Sequence, residues 1–125
     1  MKLLILAYCN ILVVPDEIGA LKNLKTLHLA SNELTDDTLP SSDTWRQLTN
    51  LRELNLSKNN LVSLDFTLDL PQLASLDASY NEITKIPENI DSMTNLQRLN
   101  LRNNNVAAVA TSMLKMRGKL VLFNL

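Results

Sequence analysis

Leu24-x-x-Leu27-x-Leu29-x-x-Asn32-x-Leu34 returns as Leu51-x-x-Leu54-x-Leu56-x-x-Asn59-x-Leu61. It returns again as Leu73-x-x-Leu76-x-Ala78-x-x-Asn81-x-Ile83 and as Leu96-x-x-Leu99-x-Leu101-x-x-Asn104-x-Val106. A first copy lies ahead of these, Met1-x-x-Leu4-x-Leu6-x-x-Cys9-x-Ile11, in which Cys9 rather than Asn10 holds the asparagine column. Two checks support that register. Val14-Pro15, Ile18, Leu21 and Leu24 follow Cys9 at the offsets at which Ile86-Pro87, Ile90, Met93 and Leu96 follow Asn81. Cysteine is also the usual substitute for asparagine in this pattern. The column falls at 9, 32, 59, 81 and 104, so the periods are 23, 27, 22 and 23.

The spacing carries its own geometry. The last two leucines of each motif are two residues apart, so they share one face of a short strand. One repeat cannot bury that face alone, and stacked repeats turn it into a continuous core. Each buried leucine contributes roughly 1.5–3 kcal/mol before chain entropy is subtracted. The column residues Cys9, Asn32, Asn59, Asn81 and Asn104 turn the chain off the strand, and the asparagines are placed to hydrogen-bond the backbone of neighbouring turns. Cys9, a weaker donor, makes a looser first rung.

The chain resembles the leucine-rich repeat family over nearly all its length. The resemblance implies an α/β fold, a right-handed solenoid with a curved parallel sheet on the concave face and short helices or turns on the convex face. Strands are expected near 3–7, 26–30, 53–57, 75–79 and 98–102, with a sixth, incomplete or frayed, near 122–125. The segments Pro15 to Leu21, Pro87 to Met93 and Thr111 to Met116 read as short helical turns, since proline and acids suit a helix N-terminus and Thr111 is a candidate N-cap. The return from Leu64 to Leu73 contains Pro71 and reads as extended or as a single tight turn. The domain organisation is one repeat domain over 1–125, five repeats and a partial sixth. Neither end shows a polar cap, so it reads as one segment of a longer array.

Two features depart from the repeat. The period from Asn32 to Asn59 is about four residues longer than its neighbours, the excess falling in the polar, Pro-broken stretch 35–42. Trp45 then stands where Ile18 stands in the previous repeat, either as convex-side core or as an exposed anchor beside an acidic loop. The N-terminal run Met1 to Cys9 also has two readings, a secretory signal or a first strand. The repeat explains Leu4, Leu6, Cys9 and Ile11. It leaves Leu3, Ile5 and Ala7 alternating onto the outer face, where a neighbour would pack over them.

Composition narrows function. The 27 leucines and 15 asparagines make up a third of 125 residues, which belongs to a repeat and to no average globular domain. Two glycines, Gly19 and Gly118, exclude a Gly-rich phosphate loop, and one histidine with one cysteine leaves no material for a His/Cys metal cage. No disulfide can form within the chain, which favours a reducing, cytoplasmic compartment over an extracellular one. No apolar run approaches the ~18–20 residues that span a bilayer. The net charge of −1 gives no general attraction to nucleic acid or membrane. Residues 61–91 carry six acids against Lys85, and 92–125 carry five bases and no acid, either local drift of a solvated surface or a basic end that docks an acidic neighbour. Asn55-Leu56-Ser57 matches a glycosylation sequon, though Asn55 and Ser57 are also accounted for as exposed strand positions.

No catalytic set, metal site or cofactor is expected. His28 and Asp77 project from the same face but stand two strand spacings apart, near 10 Å at their bases. A surface remains: the residues six, four, two and one before each column position. From it His28, Glu53, Asn55, Lys58, Asp77, Tyr80, Arg98, Asn100 and Arg102 form the candidate partner-binding set. Arg98 and Arg102 pair carboxylates well, and Tyr80 is a rigid amphipathic contact. The expected role is a non-enzymatic scaffold module of signal transduction that binds another protein, an acidic segment being a candidate partner, with no nucleic acid, membrane or small-molecule substrate. The alternatives are a regulatory or targeting segment of a larger signalling enzyme (kinase, phosphatase, cyclase or ubiquitin ligase) and an extracellular receptor ectodomain.

Overall fold

The structure, a computed structural model, describes residues 1–107, 113, 116 and 122–125. Each motif delivers one short strand: β1 Leu3–Ile5, β2 Thr26–His28, β3 Glu53–Asn55, β4 Ser75–Asp77, β5 Arg98–Asn100 and β6 Leu122–Asn124. They form one parallel sheet in chain order. Leu4 pairs in register with Leu27, Leu27 with Leu54, Leu54 with Leu76, and Leu76 with Leu99. The last four of these are at most 2% exposed and form one inward column.

The strands are shorter than the spacing predicts because the chain bends straight after the third residue. Rung-to-rung bonding still continues into the bend: the amide of Leu29 donates to Asn55, that of Leu56 to Asp77, and that of Ala78 to Asn100. The sixth strand, expected to be incomplete or frayed, is as long as the others and pairs Arg98 with Leu122 through Asn100 with Asn124. Inner rungs bury their leucines fully; Leu24, Leu27, Leu29 and Leu34 are all 0% exposed. In the first rung Leu4, Leu6 and Ile11 are only half-buried, because a second rung covers them on one side alone.

The returns are tight. Among the described residues four 3-10 turns cross the convex side, Asp16–Ala20, Asp36–Thr38, Asp65–Asp69 and Ile90–Ser92. A 3-10 turn rises about 2.0 Å per residue against 1.5 Å in an α-helix, which suits a return of few residues. The stretch before Pro71 is thus a five-residue 3-10 turn and not extended chain. The Pro87 segment turns at its proline, the Ile90 amide donating to Pro87 O at 3.2 Å, and runs into the 3-10 turn Ile90–Ser92. Thr111 and most of its helical turn lie outside the described residues; Met113 and Met116 are buried.

The long second repeat spends its extra residues on the Asp36–Thr38 turn and on the α-helix α1, Ser42–Gln47. Ser41 caps α1, its Oγ accepting from the Thr44 amide at 3.4 Å. Asp16 of the previous repeat accepts from the Ser41 amide at 3.0 Å and the Thr44 hydroxyl at 2.7 Å. The Thr44 bond first, and the Ser41 amide second, hold its carboxyl below the usual carboxylate range. Gly19 lets the two returns approach: a Cβ there would lie 3.3 Å from Thr44 Cγ2 and 2.6 Å from Gln47 Oε1. Asp36 ties the loop forward, accepting from the Val62 amide at 3.1 Å. Arg46 adds a 2.9 Å ion pair to Asp69. Trp45 is 0% exposed and stacks on Phe66 at 5.6 Å between ring centres. The exposed-anchor reading of this side chain is therefore overturned, and Trp45 is convex-side core.

Candidate protein-binding face

The turn that closes each strand sets the geometry of the concave face. The residue one before each column position is left-handed: Tyr8, Ser31, Lys58, Tyr80 and Asn103 have φ between 55° and 58°. Its amide points to the next rung, Tyr8 donating to Ala30 O, Ser31 to Ser57 O, Lys58 to Ser79 O and Tyr80 to Arg102 O, at 2.8–3.1 Å. Tyr8 thus behaves as the equivalent of Ser31 and Lys58, which places Cys9 in line with Asn32 and Asn59.

The asparagines lock this bend to the rung before it. Asn59 Nδ2 donates to Leu56 O in its own rung and to Leu29 O in the previous one, both at 3.0 Å, and Oδ1 accepts from the Leu34 amide at 3.0 Å. Asn81 does the same with Ala78 O, Leu56 O and the Leu61 amide. Asn104 does so with Leu101 O, Ala78 O and the Ile83 amide, and Asn32 with Leu29 O, Leu6 O and the Ile11 amide. Cys9 is exposed, and its Sγ reaches only Ala7 O at 3.3 Å. Asn50 and Gln72, which the sequence reading did not single out, make a second set of ties, to Lys22 O at 2.7 Å and Leu48 O at 2.8 Å.

With the bends fixed, the outward residues fall into rows. The row four before the column runs Ile5, His28, Asn55, Asp77, Asn100, paired in register. Three of these side chains are engaged within the chain. Asn55 Oδ1 accepts from the Ser57 amide at 2.9 Å and the Ser57 hydroxyl at 2.7 Å. Asp77 Oδ1 accepts from the Ser79 amide at 3.0 Å and the Ser79 hydroxyl at 2.6 Å. Asn100 Oδ1 accepts from the Arg102 amide at 3.1 Å. Ser57 and Ser79 are consequently buried, at 9% and 5% exposure, rather than the exposed positions their spacing suggests. His28 is half-buried between Ile5 and Asn55. Among the described residues no group of His, Cys, Asp and Glu gathers as a metal site.

The face is basic at β5, one strand in from β6. Glu53, Lys58, Tyr80, Arg98 and Arg102 are exposed. Lys58 Nζ lies 5.7 Å from the centre of the Tyr80 ring, so the cation that meets this tyrosine comes from the preceding rung. No salt bridge joins Arg98 or Arg102 to an acid among the described residues. The sequence-chosen set is therefore split into Asn55, Asp77 and Asn100, which work partly for the fold, the half-buried His28, and Lys58, Tyr80, Arg98 and Arg102, which face solvent with Glu53. At the other end of the sheet, Leu3, Ile5 and Tyr8 are exposed by 53%, 57% and 75%. They were not in the candidate set, although the alternation of Leu3, Ile5 and Ala7 already pointed outward.

Comparison with known proteins gives this geometry its context. The leucine rich repeat family model matches residues 1–61 and 49–106. An adenylate cyclase of Neurospora crassa is 35% identical over 80 residues, 64% of this chain and 3% of that protein. The human volume-regulated anion channel subunit LRRC8A is 32% identical over 105 residues, 82% of this chain and 12% of that protein. The chain thus spans a small fraction of the curated relatives it matches. Among solved structures, a chain of the octameric complex of latrophilin 3, Unc5D and the leucine-rich repeat part of FLRT2 superposes with a TM-score of 0.82 at 27% identity. That match covers 95% of this chain and 37% of the other.

Proposed function

The chain belongs to the leucine-rich repeat family, and from that premise we propose that it is a non-enzymatic, cytoplasmic protein-interaction module that holds a partner on its concave face. The observation that carries this reading is the pair Arg98 and Arg102, exposed toward the C-terminal side of the face beside the Lys58–Tyr80 stack. Two guanidinium forks and an aromatic ring suit an acidic protein segment. A matching repeat chain in a multi-protein complex supports a protein partner. The small share of the cyclase and channel relatives that the chain covers supports a regulatory or targeting part within a larger signalling protein.

Titration with a synthetic ten-residue Glu-rich peptide tests the face. Arg98→Glu with Arg102→Glu should weaken binding about tenfold to a hundredfold and flatten its salt dependence. The same reversal at Lys22 and Lys85, away from the strands, should change it less than about threefold. Equal affinities for the two double variants would remove the concave basic patch from the site.

The same reading places the chain within a longer array. At the N-terminal end of the solenoid an apolar groove of about 390 Å³ is lined by Leu4, Leu6, Ile11, Val13, Val14 and Ile18. It is the face that each inner rung presents to the rung before it, and a further rung of the same repeat would fit it. Fusing a repeat with a polar outer side ahead of Met1 should raise the melting temperature by several degrees. An unchanged melting temperature would show that this face needs no rung.

A further inference from the structure

We infer that the binding face extends across the sheet to the first rung, and that it fits a partner segment apolar at one end and acidic at the other. The inference rests on the concave-face reading and adds the occupant's polarity and direction. The corresponding outward pairs are Thr26 and His28, Glu53 and Asn55, Ser75 and Asp77, and Arg98 and Asn100. On β1 alone among these five strands the pair is Leu3 and Ile5, each more than half exposed. A rung stacked ahead of β1 does not cover them. It would pair along the strand edge and close over Leu4, Leu6 and Ile11, whereas Leu3 and Ile5 stand perpendicular to the sheet. Their exposure therefore calls for an occupant lying on the concave face itself.

The tyrosines point the same way. Tyr8 and Tyr80 hold φ of 58° and 55°, a region unfavourable for bulky side chains and far easier for asparagine, as at Asn103 in the same column. The chain thus keeps two strained aromatics where their rings are exposed, at 75% and 44%, one at the apolar end of the face and one at the basic end. Rigid, exposed aromatics are the anchors that interfaces favour. Between the two ends the exposed Glu53 is offset by the exposed Lys58 of the same repeat, and the Asp77 carboxylate accepts from Ser79, so the middle of the occupant carries little net charge. From β1 to β5 is four strand spacings, roughly 19 Å, about six residues of extended peptide.

A random twelve-residue peptide display selected on the immobilised chain tests this, with sedimentation of the free chain alongside. The selected pool should carry an apolar cluster and an Asp/Glu cluster about six residues apart. Selection on Leu3→Ser with Ile5→Ser should lose the apolar cluster and keep the acids. Selection on Arg98→Glu with Arg102→Glu should keep the apolar cluster and exchange acids for bases. In titrations with one selected peptide, Tyr8→Asn and Tyr80→Asn should each bind at least about fivefold more weakly while melting at or above the parent temperature. A pool of acidic peptides indifferent to Leu3→Ser and Ile5→Ser overturns the inference and leaves the concave-face reading standing. A pool indifferent to every concave-face variant overturns both. A dimer of the free chain that these two serines dissociate gives the apolar end to a second copy and also overturns the inference.

Discussion

Trp45→Ala should destabilise the chain by about 4 kcal/mol, the range for large aromatics removed from a core. Trp45 is 0% exposed and reaches from α1 to the Asp65–Asp69 turn of the next repeat, where it stacks on Phe66 at 5.6 Å. In a solenoid each rung contacts only its neighbours, so a void here loosens the junction between the second and third repeats. The indole Nε1 has no hydrogen-bond partner among the described residues. The loss in Trp45→Ala is therefore one of packing alone, and Trp45→Phe, which also deletes the unpaired N–H, should cost less than half as much. Urea unfolding followed by circular dichroism measures both. A shift under about 1 kcal/mol for Trp45→Ala would mean the side chain is peripheral to the fold.

Trp45 also shows where the sequence stops informing. Its offset from Asn59 matched that of Ile18 from Asn32, which fixed its place in the repeat but left two orientations open. Burial decided between them, and burial depends on Phe66, whose offset gives no hint of stacking. The inward column was legible because Leu27, Leu54, Leu76 and Leu99 recur at one offset and a period of two admits a single face. The 3-10 turns were less legible: Pro15 and Pro87 mark where a return begins, but its pitch is set by how few residues must cross the convex side. The outward row was legible in its direction but not in its internal bonding. Asn55, Asp77 and Asn100 each accept a bond from the residue two later, a local competition that short polar side chains enter readily. The left-handed column was invisible because Tyr8, Lys58 and Tyr80 have no preference for that conformation; the bend is imposed by the rung-to-rung bonds around it.

The bend itself should be the point of greatest sensitivity to a polar deletion. Asn59→Ala should destabilise by about 3 kcal/mol, and Asn60→Ala by less than 0.5 kcal/mol. Asn59 is 8% exposed and joins two rungs through the Leu34 amide and the carbonyls of Leu29 and Leu56. Truncation leaves that buried amide unpaired, and an orphaned buried donor costs roughly 1–3 kcal/mol by itself. The bend that positions Lys58 then loses its anchor as well. Asn60 is exposed, and its one tie to the previous rung, to Leu34 O, comes from the main-chain amide that alanine retains. Asn104→Ala should fall between the two, since Asn104 makes the same pattern of bonds but is only half-buried. A thermal melt resolves the series, because 3 kcal/mol corresponds to roughly 10 °C in a domain of this size. Equal shifts for Asn59→Ala and Asn60→Ala would mean that the amide column does not hold the rungs together. The left-handed conformation of Lys58 and Tyr80 would then need another cause.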